Sequence, residues 1–147
     1  MELHTISRVG HSTMDDAHEE FERLAGVANL ADDPLFPAHL HSLIEHLRAH
    51  FGDEDRLMRT SSFPPRDCHM REHDAVLHSA SEVSQRVADG QIAVGRAFLN
   101  ELTNWFPGHV DYLDSALAAW LSKQRHGAKP VVLQRTRSAS APARPMA

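Results

Sequence analysis

The apolar residues from Met14 to Leu121 recur every three or four positions, and nowhere do they alternate as a half-buried strand requires. That period restricts the chain to helices, and its punctuation divides it into four. Ser12 reads as the N-cap of a first helix bearing Met14, Phe21, Leu24, Ala25 and Ala28 and closing near Asp32-Asp33-Pro34. A second opens around Pro37, carries Leu40, Leu43, Leu47, Phe51, Leu57 and Met58, and stops at Thr60-Ser61-Ser62. The third begins at Pro64-Pro65 and runs through Val76, Ala80, Val83 and Val87 to Asp89-Gly90. The fourth, from Gln91, holds Ile92, Leu99, Leu102, Phe106, Leu113, Leu117 and Leu121, with a kink expected at Pro107-Gly108. Short connections make neighbours antiparallel, so the expected fold is all-α: an up-down-up-down antiparallel four-helix bundle.

An ordinary bundle core would hold only apolar side chains, yet each stripe here is interrupted by groups that resist burial. His18 lies between Met14 and Phe21, His50 and Glu54 continue the Leu40, Leu43, Leu47 row, His69 and His73 lead into Val76, and His109 and Asp114 fall beside Phe106 and Leu113. The chain has 12 His, and five of them share these stripes with two carboxylates. An unpaired buried carboxylate costs several kcal/mol, and no Lys or Arg shares its stripe, so a cation is the natural compensation. Residues four apart lie one turn above each other on a helix, which suits His50 with Glu54 and His69 with His73. His109 and Asp114, five apart, diverge by ~140° on a regular α-helix and fit least well. With no Cys pair, and too many N and O donors for one tetrahedral zinc, the set suits iron, manganese or zinc in a two-metal site bridged by carboxylates.

The remaining histidines lack this context. His46 sits at a helix edge, His39, His41 and His78 face solvent or helix borders, and His4, His11 and His126 fall outside the helical core. Asp55 points about 100° away from Glu54 and reads as surface, while Cys68 reads as a small core residue.

Charge and composition set the surroundings. The net charge is −5, but no Asp or Glu follows Asp114 and six of the 15 cations lie at or beyond Lys123. The domain expectation is a bundle over residues 1–123, with a short arm at 1–11, followed by a flexible basic tail at 124–147 whose Ser-, Ala-, Pro- and Arg-rich part starts at Gly127. An acidic body argues against nucleic acid, although the tail is suited to a protein partner. No apolar run is long enough for membrane insertion, no signal peptide is evident, and a lone Cys68 precludes an internal disulfide, so the expected location is cytoplasmic.

The residues also resemble a family, the hemerythrins and bacterial hemerythrin-like proteins. The resemblance runs in register through Val9-Gly10 with Asp15 and His18, then His50-Phe51 with Glu54-Asp55 and Met58. It continues through Phe63-Pro64 with His69 and Glu72-His73, then Trp105-Phe106 with His109-Val110 and Asp114. It implies two iron ions: His69, His73 and His109 on one, His18 and His50 on the other, and Glu54 and Asp114 bridging together with an oxo or hydroxo group. One iron would keep an open position for reversible binding of dioxygen, for storage, delivery or sensing, and the protein would not be an enzyme. Leu47, Phe51, Met58, Leu102, Trp105, Phe106 and Leu113 would wall the oxygen pocket. Ala17 stands where the family often has Gln, His11 where an aliphatic residue is usual, Phe106 where Leu is typical, and Pro107 is unexpected. These departures leave room for a second reading, a di-iron enzyme acting on peroxide, nitric oxide or ferrous iron. A third is a manganese- or zinc-binding regulatory protein.

Overall fold

The computed structural model describes residues 6–125, in which five α-helices and one π-helical segment form four rods, with no strand among the described residues. The rods are α1 (Ser12–Leu30), α2 (Phe36–Thr60), α3 (Arg66–Ala88) and a composite fourth. The fourth is built from α4 (Ile92–His109), the π segment (Val110–Asp114) and α5 (Ser115–Arg125). Packing of consecutive rods across connections of a few residues gives the four-helix bundle that the period of the sequence predicts. Helix α5 continues through Gln124 and Arg125, into the stretch read as tail. The rest of that tail, with His4 and His126, lies outside the described residues.

The helix ends show why these boundaries hold. His11, rather than Ser12, caps α1: its Nδ1 accepts from the Met14 N–H at 3.3 Å. Ser is ordinarily the better cap, but the Asp15 carboxylate accepts from the Val9 and Gly10 amides at 2.8 and 3.2 Å and fixes the entering chain one residue earlier. Helix α3 ends in a Schellman turn, with Gly90 at φ 93° and its N–H on the Val87 carbonyl, and Gln91 bonded back to Arg86. Helix α2 ends in the same motif, but with Ser62 at φ 56°. The Ser62 and Phe63 N–H groups bond the Arg59 and Met58 carbonyls, and Phe63 packs in one apolar cluster with Met58.

Two apolar clusters fill the bundle. The larger joins Phe21, Phe36, Leu40, Leu47, Phe51, Leu99, Leu102, Phe106 and Val110, and the smaller joins Met14, Met58, Phe63, Leu117 and Ala118. Between Met14 and Phe21 stands His18, between Phe51 and Met58 stands Glu54, and between Val110 and Leu117 stands Asp114. The polar residues therefore form a layer between two greasy blocks. At the far end of the larger block Gly95 lets α4 approach closely, since a Cβ there would lie 2.6 Å from Val87 and 2.7 Å from Phe36.

The expected break at Pro107-Gly108 takes a specific form. Helix α4 passes through Pro107, and directly after His109 the chain widens into one π turn, closed by the Ser115 N–H on the Val110 carbonyl. In π geometry residues five apart lie one above the other. The spacing that counted against His109 and Asp114 is the spacing a π turn requires.

Candidate metal centre

All seven singled-out residues converge in the polar layer, and all are buried: His18, His50, Glu54, His69, His73, His109 and Asp114. Their ligand atoms fall into two groups, Glu54, His69, His73, His109 and Asp114 in one and His18, His50, Glu54 and Asp114 in the other, each within 4.8 Å. Glu54 and Asp114 belong to both, as bridging groups must. Asp114 Oδ1 lies 2.9 Å from His69 Nε2 and 3.1 Å from His109 Nε2, while its Oδ2 accepts from His18 Nε2 at 2.9 Å. Glu54 Oε2 is 2.8 Å from His50 Nε2, and its Oε1 is 3.2 and 3.5 Å from His73 and His69 Nε2.

Most of these approaches are not hydrogen bonds. Both Glu54 oxygens, Asp114 Oδ1, His50 Nε2 and both His69 ring nitrogens are buried without a hydrogen-bond partner. A buried unpaired polar atom is costly, and so many in one layer point to a ligand that takes lone pairs. The His73 and His109 rings make the same case. Asp55 Oδ1 accepts from His73 Nδ1 at 2.8 Å and Glu72 Oε1 accepts from His109 Nδ1 at 3.1 Å, which turns the two Nε2 atoms toward each other, 3.2 Å apart. An imidazole whose single proton is on Nδ1 carries a lone pair on Nε2. Two lone pairs at that distance repel unless a cation lies between them. Nitrogens each about 2.1 Å from one metal, at right angles, are separated by about 3 Å. The donor set therefore fits a pair of metal ions.

Electrostatics shows the same tension. Burial opposes charging of His18 and His69, but the Asp114 and Glu54 carboxylates beside them outweigh it and raise both to about 9. Burial likewise opposes ionisation of Glu54 and Asp114, yet the surrounding imidazoles hold both well below the ordinary carboxylate range. The cluster has a strong affinity for positive charge, whether it arrives as protons or as metal.

The residues named as pocket walls separate into classes. Phe51 stacks on His73 with centroids 4.0 Å apart, Trp105 lies 4.4 Å from His109, and Phe106 meets His18 edge-on at 5.5 Å while stacking on Phe21. Leu47 and Leu102 are buried in the larger block and Met58 in the smaller, whereas Leu113 is half-buried and belongs to neither. Two readings need correction. Asp55 is not a surface residue but a largely buried acceptor for His73, and Cys68 is exposed rather than part of the core. Glu72 and Asp15, named in the family resemblance without a role, take one here as acceptors for His109 Nδ1 and for the Val9 and Gly10 amides. Asp55 and Glu72 act across helix pairs, which no single-helix stripe reveals. His46 is no ligand candidate: its Nε2 donates to the Ala17 carbonyl at 2.9 Å, and burial holds it below its ordinary value.

The family model described as Hemerythrin HHE cation binding domain matches residues 9–121. Among curated proteins the chain is 37% identical to the bacteriohemerythrin of Ralstonia nicotianae over 116 residues, 79% of this chain and 85% of that one. It is 26% identical to the myohemerythrin of Sipunculus nudus over 107 residues, covering 73% and 82% of the two chains. With the myohemerythrin of Theromyzon tessulatum the identity is 24% over 91 residues, covering 62% and 74%. No solved structure matches. With the match spanning all four rods and the polar layer they enclose, the chain belongs to the hemerythrin HHE cation-binding family.

Proposed function

We propose that this chain is a non-haem di-iron protein that binds dioxygen reversibly, and is a binding protein rather than an enzyme. One observation carries the reading: five imidazole nitrogens and two shared carboxylates converge, largely without hydrogen-bond partners, in a layer sealed on both sides by apolar side chains. His69, His73 and His109 would hold one iron and His18 and His50 the other, with Glu54 and Asp114 spanning both. Two irons would together supply the two electrons that dioxygen accepts on binding and would recover them on its release.

The chain's own residues do the rest. Asp55 and Glu72 hold the His73 and His109 rings with Nε2 turned inward, which fixes the tautomer that can ligate. Phe51, Trp105 and Phe106 cover the imidazoles with hydrocarbon, keeping out water and the protons that favour irreversible oxidation. Phe106 against His18 narrows the approach to the two-histidine half, the less crowded of the two. No helix among the described residues is long and apolar enough to cross a membrane, and a cytoplasmic location agrees with the lone Cys68.

Metal analysis and absorption spectra test the reading. Iron-replete protein should contain about two irons per chain and show a visible band that appears in air, vanishes on deoxygenation and returns over repeated cycles. A lower iron content, or a spectrum that air changes once and deoxygenation never restores, overturns it.

A further inference from the structure

Two carboxylates outside the seven-residue cluster distinguish its halves. Asp55 on α2 reaches across to His73 on α3, and Glu72 on α3 reaches across to His109 on α4. Two of the three imidazoles in that half are thus backed by an anion at Nδ1. The other half has no such support. Among the described residues the only carboxylates within ion-pairing distance of His18 and His50 are the shared Glu54 and Asp114. The neighbour on that side is His46, stacked parallel on His50 at 6.0 Å and committed to the Ala17 carbonyl.

An imidazole that donates from Nδ1 to a carboxylate is held in one tautomer and carries more electron density at Nε2, which makes it a better donor to a cation. We propose that Asp55 and Glu72 are positioning residues that make the His69–His73–His109 half the tighter metal site, so that the two half-sites fill in order, that half first. The inference rests on the two-metal reading above and adds, to a three-against-two histidine count that already favours one half, the two carboxylates that set how far apart the two affinities lie.

The test is an anaerobic titration of the metal-free full chain with cobalt(II) at fixed pH, followed by visible absorption and by competition with a chelator. The unaltered protein should bind two cobalt ions in two resolved steps. Asp55→Asn and Glu72→Gln keep an oxygen acceptor but lose the charge. Each should weaken the first step roughly 10- to 100-fold and change its absorption band, while leaving the second step within about threefold. Asp55→Ala, which loses charge and acceptor, should weaken it further. The proposal fails if the unaltered protein shows two equivalent steps, if the Asn and Gln variants keep the first step intact, or if both steps weaken equally with loss of helical signal. Uptake of one ion or none by the unaltered protein would instead overturn the two-metal reading itself.

Discussion

His18 and His69 each face a conflict between burial and two carboxylates, and the carboxylates prevail, lifting both imidazoles to about 9 from an ordinary 6.5. A raised histidine contributes stability that is complete below the unfolded value and is lost as pH climbs toward the folded one. Glu54 and Asp114, held low, contribute stability that is present above their ordinary 4.5 and 3.8 and disappears as pH falls through the lowered values. Chelator-treated protein should therefore be most stable between roughly pH 5 and 6.5, with a melting temperature that drops between pH 6 and pH 9. Metal ions compete with protons for the same nitrogens, so the added stability of the iron-loaded form should grow over that interval. Paired thermal melts of the two forms across the range check both trends; a metal-free melting temperature that rises toward pH 9 would contradict the assignment. The five histidines of the cluster were legible because each interrupts an apolar row on its own helix. Asp55 and Glu72 were not, because their roles exist only between helices, and no helical period reports what a side chain meets on its neighbour.

At the scale of the helix, two turns invite tests. Ser62 adopts the left-handed conformation that glycine tolerates without penalty, at the same C-terminal position that Gly90 fills on α3. Ser62→Gly should raise stability by about 0.5–1 kcal/mol, the left-handed strain relieved being partly offset by the freer unfolded chain. Gly95→Ala should act in the opposite sense: helix propensity favours Ala by about 1 kcal/mol, but overpacking against Val87 and Phe36, neither of which can swing aside cheaply, costs about 1–3. Denaturant melts of both variants read the two signs directly. The π segment is a further case. Its five residues occupy the turn that four would fill in an α-helix, and Tyr112, 79% exposed, adds no core contact. Deleting Tyr112 should restore a continuous α-helix with His109 and Asp114 four apart and still on one face, so two metals per chain should be retained. Inserting an alanine directly before Asp114 should turn the carboxylate about 100° away and lower metal content. Regular periodicity could not have revealed this turn, because among the described helices it is the one place that departs from 3.6 residues per turn. The Pro107-Gly108 pair marked where, without saying how.

Across the whole molecule, the bundle was readable from the period of its apolar residues, whereas the division of that core into two blocks was not, since a stripe on one helix does not show where layers align across four. Met14, Met58, Phe63 and Leu117 pack on one side of the polar layer, and Phe21, Phe51, Phe106 and Val110 on the other. Trp120 joins the smaller block to the α2–α3 connection through a hydrogen bond from Nε1 to the Ser61 carbonyl at 3.1 Å. Metal held by the seven-residue cluster would tie the blocks together through residues from all four rods. Calorimetry should show one sharp transition for loaded protein and, after chelation, a broader one whose van't Hoff enthalpy falls below the calorimetric value. Equal enthalpies in both forms would show that the blocks are coupled without metal. If the seam opens when metal is withdrawn, the chain's survival would depend on its metal. Proteases cut in proportion to the opened population, so iron-starved protein would be degraded faster than loaded protein of identical sequence, and its abundance would follow iron supply before any change in its synthesis.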